Sequence, residues 1–323
     1  LFHLEGDDPY EKFLPKISSV ISKIFVIYVV LTIVLFFFYY INQMSIFDAI
    51  AHSFTTISTG GFSTHSDSFA YFDNVKIYCV AIVFMIIGSL PFLVLAQISF
   101  SNFRTIFKDN QIRVFLIILL FATLIIFFLA NNFVEGTYFE KFISISFNTI
   151  SIISGTGFVS ENYENWGNYA SVLFLILMFI GGCAGSTTGG LKVFRFQILF
   201  KYIHLHLKKM LHPHIVIASY FNGKRVSGST FESVTTFFFL YILTFSISAL
   251  LLSFSGLDFL TCISAAASAI SNVGPGLGEI IGPNGNYSSL TDSSKYILSI
   301  TMFLGRLEML TIFILFLPTF WKN

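Results

Sequence analysis

Residues 57–61 read "ISTGG", residues 153–157 read "ISGTG" and residues 270–274 read "ISNVG". The pattern Ile-Ser-x-x-Gly thus occurs three times, and each copy follows a short apolar segment. Aligned without gaps on the final glycine, the copies also share Ser or Thr six residues before it. A pattern that recurs together with its surroundings indicates a repeated structural unit rather than three unrelated turns.

The composition of the chain places this repeat in a membrane. Of the 323 residues, 55% are hydrophobic, 11% are charged and 42 are Phe, which is far more apolar than an ordinary soluble domain. The net charge of +1 gives no reason to expect nucleic acid as a partner. We therefore expect an all-α polytopic membrane protein.

Apolar stretches of two lengths alternate along the chain. Six are long enough to cross or nearly cross a bilayer, which needs about 20 helical residues; they are residues 24–41, 77–100, 114–130, 169–200 with an interruption, 234–255 and 296–318. Shorter apolar segments begin at Phe47, Phe139 and Leu257. At about 1.5 Å per residue these segments reach only about 20 Å, so we expect half-helices that enter the membrane and return.

The repeat continues beyond each glycine turn. The second long stretch of each unit reads "MIIG" from Met85, "MFIG" from Met178 and "MFLG" from Met302. The unit is therefore a helix, a re-entrant half-helix, a glycine turn and a second helix. Because backbone that turns inside a membrane must be buried by protein or line a water-filled path, the turns are candidates for a functional site.

The glycine turns have the properties of a cation site. A half-helix that enters from outside directs its negative C-terminal end toward the middle of the membrane, and the glycines allow carbonyl oxygens to face a common axis. Such oxygens can replace the hydration shell of a monovalent cation. Asp48, Glu140 and Asp258 suit the positive ends of the half-helices. The alternative is that the glycines only permit close helix packing.

The distribution of charge predicts the orientation of the chain. Basic residues concentrate in two connections: Arg104, Lys108 and Arg113 in one, and Lys192, Arg195, Lys201, Lys208, Lys209, Lys224 and Arg225 in the other. These connections are expected on the cytoplasmic side. Acidic residues dominate the opposite side: Asp67, Asp73, Glu135, Glu140, Glu161, Glu164, Glu279 and Asp292. They either attract cations to a pore mouth or belong to ordinary solvated loops.

Two features interrupt the long apolar stretches. "GGCAGSTTGG" at residues 181–190 predicts an unwound segment at the middle of the membrane, either functional or a packing kink. It is not a phosphate-binding loop, because Leu191 follows where Lys is required. Arg306 lies within the last stretch, where a charge costs about 2.5–3.5 kcal/mol. Glu308 points to a different helix face, so a pair with a distant carboxylate is the structural alternative.

Five motifs together resemble the Trk/Ktr/HKT superfamily of potassium transporters, most closely the bacterial Trk-type membrane subunit. They are "HSFTTISTGGFSTH" at 52–65, "SIISGTGF" at 151–158, "GGCAGSTTGGLKVFRF" at 181–196, "SNVGPGLG" at 271–278 and "LGRLEMLT" at 304–311. The resemblance runs from about residue 15 to the C-terminus. It implies four repeats, each similar to one potassium-channel subunit, around a central pore.

The resemblance also implies a division of the chain. A cytoplasmic connection at 1–16 precedes a second-type repeat at 17–100, a cytoplasmic loop at 101–113 and a third-type repeat at 114–200 that includes an intramembrane gating loop at 181–191. A cytoplasmic or interfacial segment at 201–230 and a fourth-type repeat at 231–323 follow. The first repeat is missing from this division, so we expect the 323-residue chain to be incomplete and not to conduct alone.

The resemblance assigns roles to individual residues. Potassium would be bound by the backbone carbonyls of Thr59, Gly60, Gly61, Gly155, Thr156, Gly157, Asn272, Val273 and Gly274. The gate would consist of Gly181, Gly182, Gly185, Ser186, Thr187, Thr188, Gly189 and Gly190, with Arg306 as a positive barrier below the filter. Potassium is the transported ion, and no organic cofactor is expected.

The function expected from these residues is potassium uptake across a bacterial inner membrane. The implied partners are membrane lipid, a second copy of the chain and a cytoplasmic nucleotide-binding regulatory subunit of the TrkA type. A sodium-selective transporter of the same fold and an ion-coupled solute carrier are the alternatives, although a carrier normally has two inverted halves. An enzyme is not expected, because it would need a paired nucleophile and base or a metal set inside the bilayer, and the only charges in the middle of a span are Arg306 and Glu308.

Overall fold

The computed structural model describes residues 17–98, 108–212, 220–307, 309–315 and 317–321. These residues form twelve α-helices and one two-stranded hairpin. The helices are α1 (Ile17–Ile41), α2 (Ile46–Ile57), α3 (Val75–Gly88), α4 (Phe92–Ile98), α5 (Asn110–Ala130), α6 (Tyr138–Ile153), α7 (Asn168–Met178), α8 (Val193–Leu211), α9 (Gly228–Ser253), α10 (Phe259–Ser271), α11 (Asp292–Arg306) and α12 (Met309–Leu315). The strands are β1 (Tyr220–Phe221) and β2 (Lys224–Arg225), which pair antiparallel. The predicted connection 1–16, most of the predicted loop 101–113 and Glu308 lie outside the described residues.

Three units of the predicted kind are present. The half-helix α2 packs between α1 and α3, α6 packs between α5 and α7, and α10 packs between α9 and α11. Neighbouring units pack together in the same way each time: the second helix of one unit contacts the half-helix of the next, as α3 contacts α6 and α7 contacts α10. The prediction of an all-helical fold with tandem half-helix units is confirmed.

Helix length separates the elements that can cross a membrane from those that cannot. Among the described residues α1, α5 and α9 are long and apolar enough to span, and α11 with α12 would make a fourth bent span. Phenylalanine side chains on the long helices are exposed, for example Phe25, Phe121 and Phe239, which suits a hydrocarbon environment. The half-helices have 12, 16 and 13 residues and are too short to cross.

The second helix of every unit is broken, whereas the sequence indicated an interruption only in the stretch 169–200. The stretch 77–100 is interrupted between α3 and α4, where Pro91 lacks the N–H that would continue the helix. The stretch 296–318 is interrupted after Arg306, and α12 begins at Met309. The predicted interruption of 169–200 lies between α7 and α8.

Candidate functional site

The three glycine turns share one backbone hydrogen bond. In each turn the N–H of the middle residue donates to the carbonyl five residues earlier: Gly60 to Thr55 at 2.7 Å, Thr156 to Ser151 at 3.0 Å and Val273 to Ser268 at 3.0 Å. These acceptors are the Ser and Thr that the sequence places six residues before each glycine. The repeat seen in the sequence is therefore a repeat of backbone geometry.

The turns also share an unusual backbone conformation. The first and third residues have positive φ: Thr59 at 48°, Gly61 at 68°, Gly155 at 66°, Gly157 at 81°, Asn272 at 56° and Gly274 at 114°, whereas the middle residues do not. Left-handed φ at alternate positions turns successive peptide groups into a concave array instead of a strand. For the β-branched Thr59 this conformation is strained, and strain of this kind concentrates at functional sites.

Neighbouring turns are in direct contact through their backbones. A Cβ atom at Gly61 would lie 1.7 Å from the carbonyl oxygen of Thr156, and one at Gly157 would lie 1.9 Å from that of Val273. Only glycine fits at either position. At Gly274 no atom of the described part of the chain lies within 4 Å of such a Cβ atom. The turns consequently form an arc that is open beside Gly274.

The carbonyl groups of this arc are available to a ligand. Within the described residues, only one of the nine candidate carbonyls accepts a hydrogen bond, that of Gly274 from the Tyr287 hydroxyl at 2.7 Å. Carbonyl oxygens without donors around a shared space are suited to a dehydrated monovalent cation. All nine residues predicted from the sequence are brought together here.

Each half-helix supports the chain segment that leaves its turn. His52 Nε2 lies 2.9 Å from Ser63 Oγ, and the Asn148 amide donates to Ser160 Oγ at 2.8 Å. In α10, Ser264 Oγ donates to the Leu277 carbonyl at 3.0 Å. The sequence did not reveal these supports, because the residue types differ; a polar residue nine or ten positions before each glycine was the available signal.

The starts of the half-helices carry acidic residues as expected. Asp48 and Glu140 follow the capping residues Ser45 and Thr137, and Asp258 itself caps α10 by accepting the Thr261 N–H at 3.0 Å. Hydrogen bonds from the backbone N–H and the hydroxyl of Thr137 hold the pKa of the Glu140 carboxyl below its usual range. The Glu140 carboxylate is therefore stabilised in its ionised form beside the positive end of α6.

The predicted gating loop passes under the arc. Thr187 Oγ1 lies 3.0 Å from the Ile57 carbonyl at the end of α2, and a Cβ atom at Gly189 would lie 2.4 Å from the Ser271 carbonyl at the end of α10. One at Gly155 in the middle turn would lie 3.7 Å from the Gly189 nitrogen. The loop thus contacts all three units directly below their turns.

The opposite side of the loop is bound to the break between α3 and α4. Thr187 Oγ1 also lies 3.0 Å from the Gly88 carbonyl oxygen. The Cys183 N–H donates to the Ser89 carbonyl at 3.0 Å, and the Phe92 N–H donates to the Gly185 carbonyl at 3.0 Å. The predicted loop residues are hydrogen-bonded within the loop as well: Gly181 to Leu191, Gly182 to Thr188, and Ser186 to Cys183 and Thr188. At Gly190 the backbone has a positive φ of 68°.

Two cations contact consecutive carbonyls of the loop. Arg306 Nη1 donates to the Thr187 carbonyl at 3.0 Å, so the described structure gives this arginine a backbone partner rather than the alternative of a distant carboxylate. Lys192 Nζ contacts the Thr188 carbonyl and lies 3.0 Å from Thr188 Oγ1. Sequence reasoning counted Lys192 only among the basic residues of a cytoplasmic connection and missed this contact.

Half-helices that end in glycine turns around a shared space define the class of pore-loop cation transport proteins. The chain belongs to the TrkH family of cation transport proteins, whose family model matches residues 5–322. It is accordingly a multi-pass membrane protein.

Individual relatives agree with this assignment. The chain is 37% identical to the Trk system potassium uptake protein TrkI of Halomonas elongata, over 100% of this chain and 66% of the relative. It is 33% identical to TrkH of Escherichia coli K12, over 100% of this chain and 67% of that protein. The crystal structure of the potassium transporter TrkH from Vibrio parahaemolyticus matches with a TM-score of 0.89 and 35% identity, over 96% of this chain and 66% of that one. The chain thus spans about two thirds of the length of these relatives.

Proposed function

We propose that this chain supplies pore units of a potassium uptake protein. The observation that carries the proposal is the arc itself, in which three turns of one backbone geometry present carbonyl oxygens that accept no hydrogen bond, that of Gly274 excepted, from the described residues. The relatives that share this chain's sequence are named potassium uptake proteins. Potassium in this proposal is the transported ion.

The chemistry of the arc explains how an ion would be taken up. Acidic residues at the outer ends of the half-helices raise the local concentration of cations, and the negative helix ends point toward the arc. The carbonyls then replace the hydration shell. Because each turn is fixed by the carbonyl of Thr55, Ser151 or Ser268, the ligands are held in place before the ion arrives.

The loop at 181–191 is the gate in this proposal. It lies beneath the arc and is attached to the ends of α2 and α10 by Thr187 and Gly189. Arg306 contributes a positive charge at the same level, where it opposes a cation that leaves the arc. Conduction would require this loop to move away from the half-helix ends.

A fourth turn of the same kind would close the arc on its open side, beside Gly274. Exposed backbone polar groups are costly in a membrane, and a ring of carbonyls needs all its sides to replace a hydration shell. The units that we propose are residues 17–100, 114–200 and 231–323. Each unit packs on the half-helix of the next through the α3–α6 and α7–α10 contacts.

The proposed partners are a second copy of the chain, a cytoplasmic nucleotide-binding regulator and lipid. The end of α8 favours a lipid surface, because Phe200, Leu207 and Leu211 form an exposed apolar stripe while Lys201 and Lys208 lie on another side of the helix. Helices with this division lie at the boundary between acyl chains and anionic head groups.

Rubidium uptake in proteoliposomes tests the function. We expect no selective uptake by the chain alone, and saturable uptake of rubidium and potassium when it is co-expressed with a fourth unit from a relative, a pair called here the completed protein. A preference for sodium would support the sodium-selective alternative. Uptake of an organic solute coupled to the ion would indicate a carrier, and selective conduction by the chain alone would refute the need for a fourth turn.

A further inference from the structure

The charged end of Lys192 lies against the loop at residues 181–191. The ammonium group contacts both the carbonyl and the hydroxyl of Thr188, while Arg306 contacts the carbonyl of Thr187. The two cations come from different parts of the chain, one at the start of α8 and one at the end of α11. Consecutive carbonyls of the loop are therefore each bound by a tethered cation.

The position of Lys192 is unfavourable for a residue that serves only its helix. It is the N-cap residue of α8, and its side chain makes no capping hydrogen bond. N-caps favour Ser, Thr, Asp and Asn, and a positive charge at the positive end of the helix dipole is destabilising. By contrast, Lys208 and Lys209 lie in the last turn, where the dipole stabilises them. The contacts of the Lys192 ammonium group with the Thr188 oxygens compensate for its unfavourable interaction with the positive end of the α8 dipole.

A carbonyl oxygen that is bound to an ammonium group is not available to a passing ion. Potassium and an alkylammonium present similar positive charge to oxygen ligands, so the two compete for the same carbonyl. The Thr188 hydroxyl also accepts the Gly182 N–H at 3.1 Å and lies 2.8 Å from Ser186 Oγ. The contact of Lys192 thus reaches the hydrogen bonds that fold the loop.

We infer that Lys192 is a second positioning cation of the gate, which acts together with Arg306. The inference rests on the proposed function of the loop. In the closed state the two side chains occupy loop carbonyls and place two positive charges below the arc. Opening requires Lys192 to leave Thr188, and permeating ions compete with it for that carbonyl.

Charge substitution at Lys192 tests this inference in the completed protein. Lys192→Met keeps most of the apolar stem and removes the charge, and it should raise basal rubidium uptake roughly tenfold, the size of effect expected for one lost charged hydrogen bond. Lys192→Arg should restore low uptake. Lys295→Met is the matched control, because Lys295 also donates Nζ to a backbone carbonyl, that of Ser288 at 2.9 Å, and lies near the start of α11, away from the loop; its uptake should stay at the wild-type level.

A second readout separates competition from simple loosening of the structure. If Lys192 competes with permeating ions, Lys192→Met lowers the rubidium concentration for half-maximal uptake, whereas a merely structural change alters the maximal rate alone. Lys192→Gln serves if the Met variant does not give a monodisperse protein, because it keeps a donor and removes the charge.

Unchanged or lower uptake by a folded neutral variant, or an Arg variant as leaky as Met, would overturn the inference. If deletion of residues 185–190 raises uptake while neutral Lys192 variants do not, only this inference fails; if no variant conducts, the proposed function fails.

Discussion

The glycine at the end of the repeated Met-x-x-Gly motif has different contacts in the two flanking units and in the middle unit. Gly88 and Gly305 occupy the same position of the "MIIG" and "MFLG" motifs. In both units this glycine lies against a carbonyl in the last turn of its own half-helix: a Cβ atom would lie 3.2 Å from the oxygen of Ile57 in the first case and 1.9 Å from that of Ile270 in the last. The second helix of a flanking unit therefore packs directly on the base of its own turn.

In the middle unit the same position faces the loop. A Cβ atom at Gly181 would have the Gly189 carbonyl oxygen as its nearest neighbour, at 2.3 Å. Gly189 in turn lies under the end of α10 in the next unit. In the middle unit, the contact between the second helix and its own half-helix is therefore replaced by a contact with the loop. The loop in turn contacts the neighbouring units. This one exchange distinguishes the unit that carries the proposed gate from the two flanking units.

The strongest test of the comparison removes the loop. Deletion of residues 185–190 in the completed protein should raise basal rubidium uptake by up to about a hundredfold, as expected if the closed state holds about 99% of the molecules. A deletion of equal length in the β1–β2 hairpin, residues 220–225, is the control and should leave basal uptake low. Unchanged uptake by a correctly inserted loop deletion would show that the loop is a passive kink.

Alanine at the shared glycine tests the flanking units. Gly305→Ala forces a methyl group onto a backbone oxygen, which should destabilise the protein by about 1–3 kcal/mol. Gly88→Ala meets its nearest neighbour only at 3.2 Å, a contact that a shift of a few tenths of an ångström relieves, so its net effect should be near zero. The temperature at which the monodisperse peak is lost in detergent measures both. Equal losses would contradict the difference in packing between the two units.

The sequence predicted the three turns, their half-helices and the interruption at residues 181–190, and it missed the break between α3 and α4 and the contact of Lys192 with the loop. The turns and half-helices were visible because Ile57, Ile153 and Ile270 recur in register with their glycines. The break between α3 and α4 was hidden because its flanks are continuously apolar, so that only Pro91 marked it. The contact between Lys192 and Thr188 depends on how the loop folds back, and the spacing of residues along the chain does not predict that fold.

Arg306 tests whether the charge below the arc is a barrier. Its Nη1 contacts the loop carbonyl of Thr187 at 3.0 Å, so Arg306→Ala removes both a positive charge and one tether of the loop. Basal rubidium uptake per folded molecule should rise about tenfold, the scale of one charged hydrogen bond. A decrease in uptake with intact folding would count against the barrier and favour a structural role.

The smallest expected effect distinguishes the loop's two attachments. The Thr187 hydroxyl lies 3.0 Å from the carbonyls of both Ile57 and Gly88, and it therefore joins the loop to the first unit without any charge. Thr187→Val keeps the shape and removes this bond, which is worth about 1 kcal/mol, so basal uptake should rise roughly fivefold. Thr187→Ser keeps the hydroxyl and should stay at the wild-type level. If the Val variant leaks as much as Arg306→Ala, the neutral attachment of the loop to the first unit matters as much as the charge of Arg306.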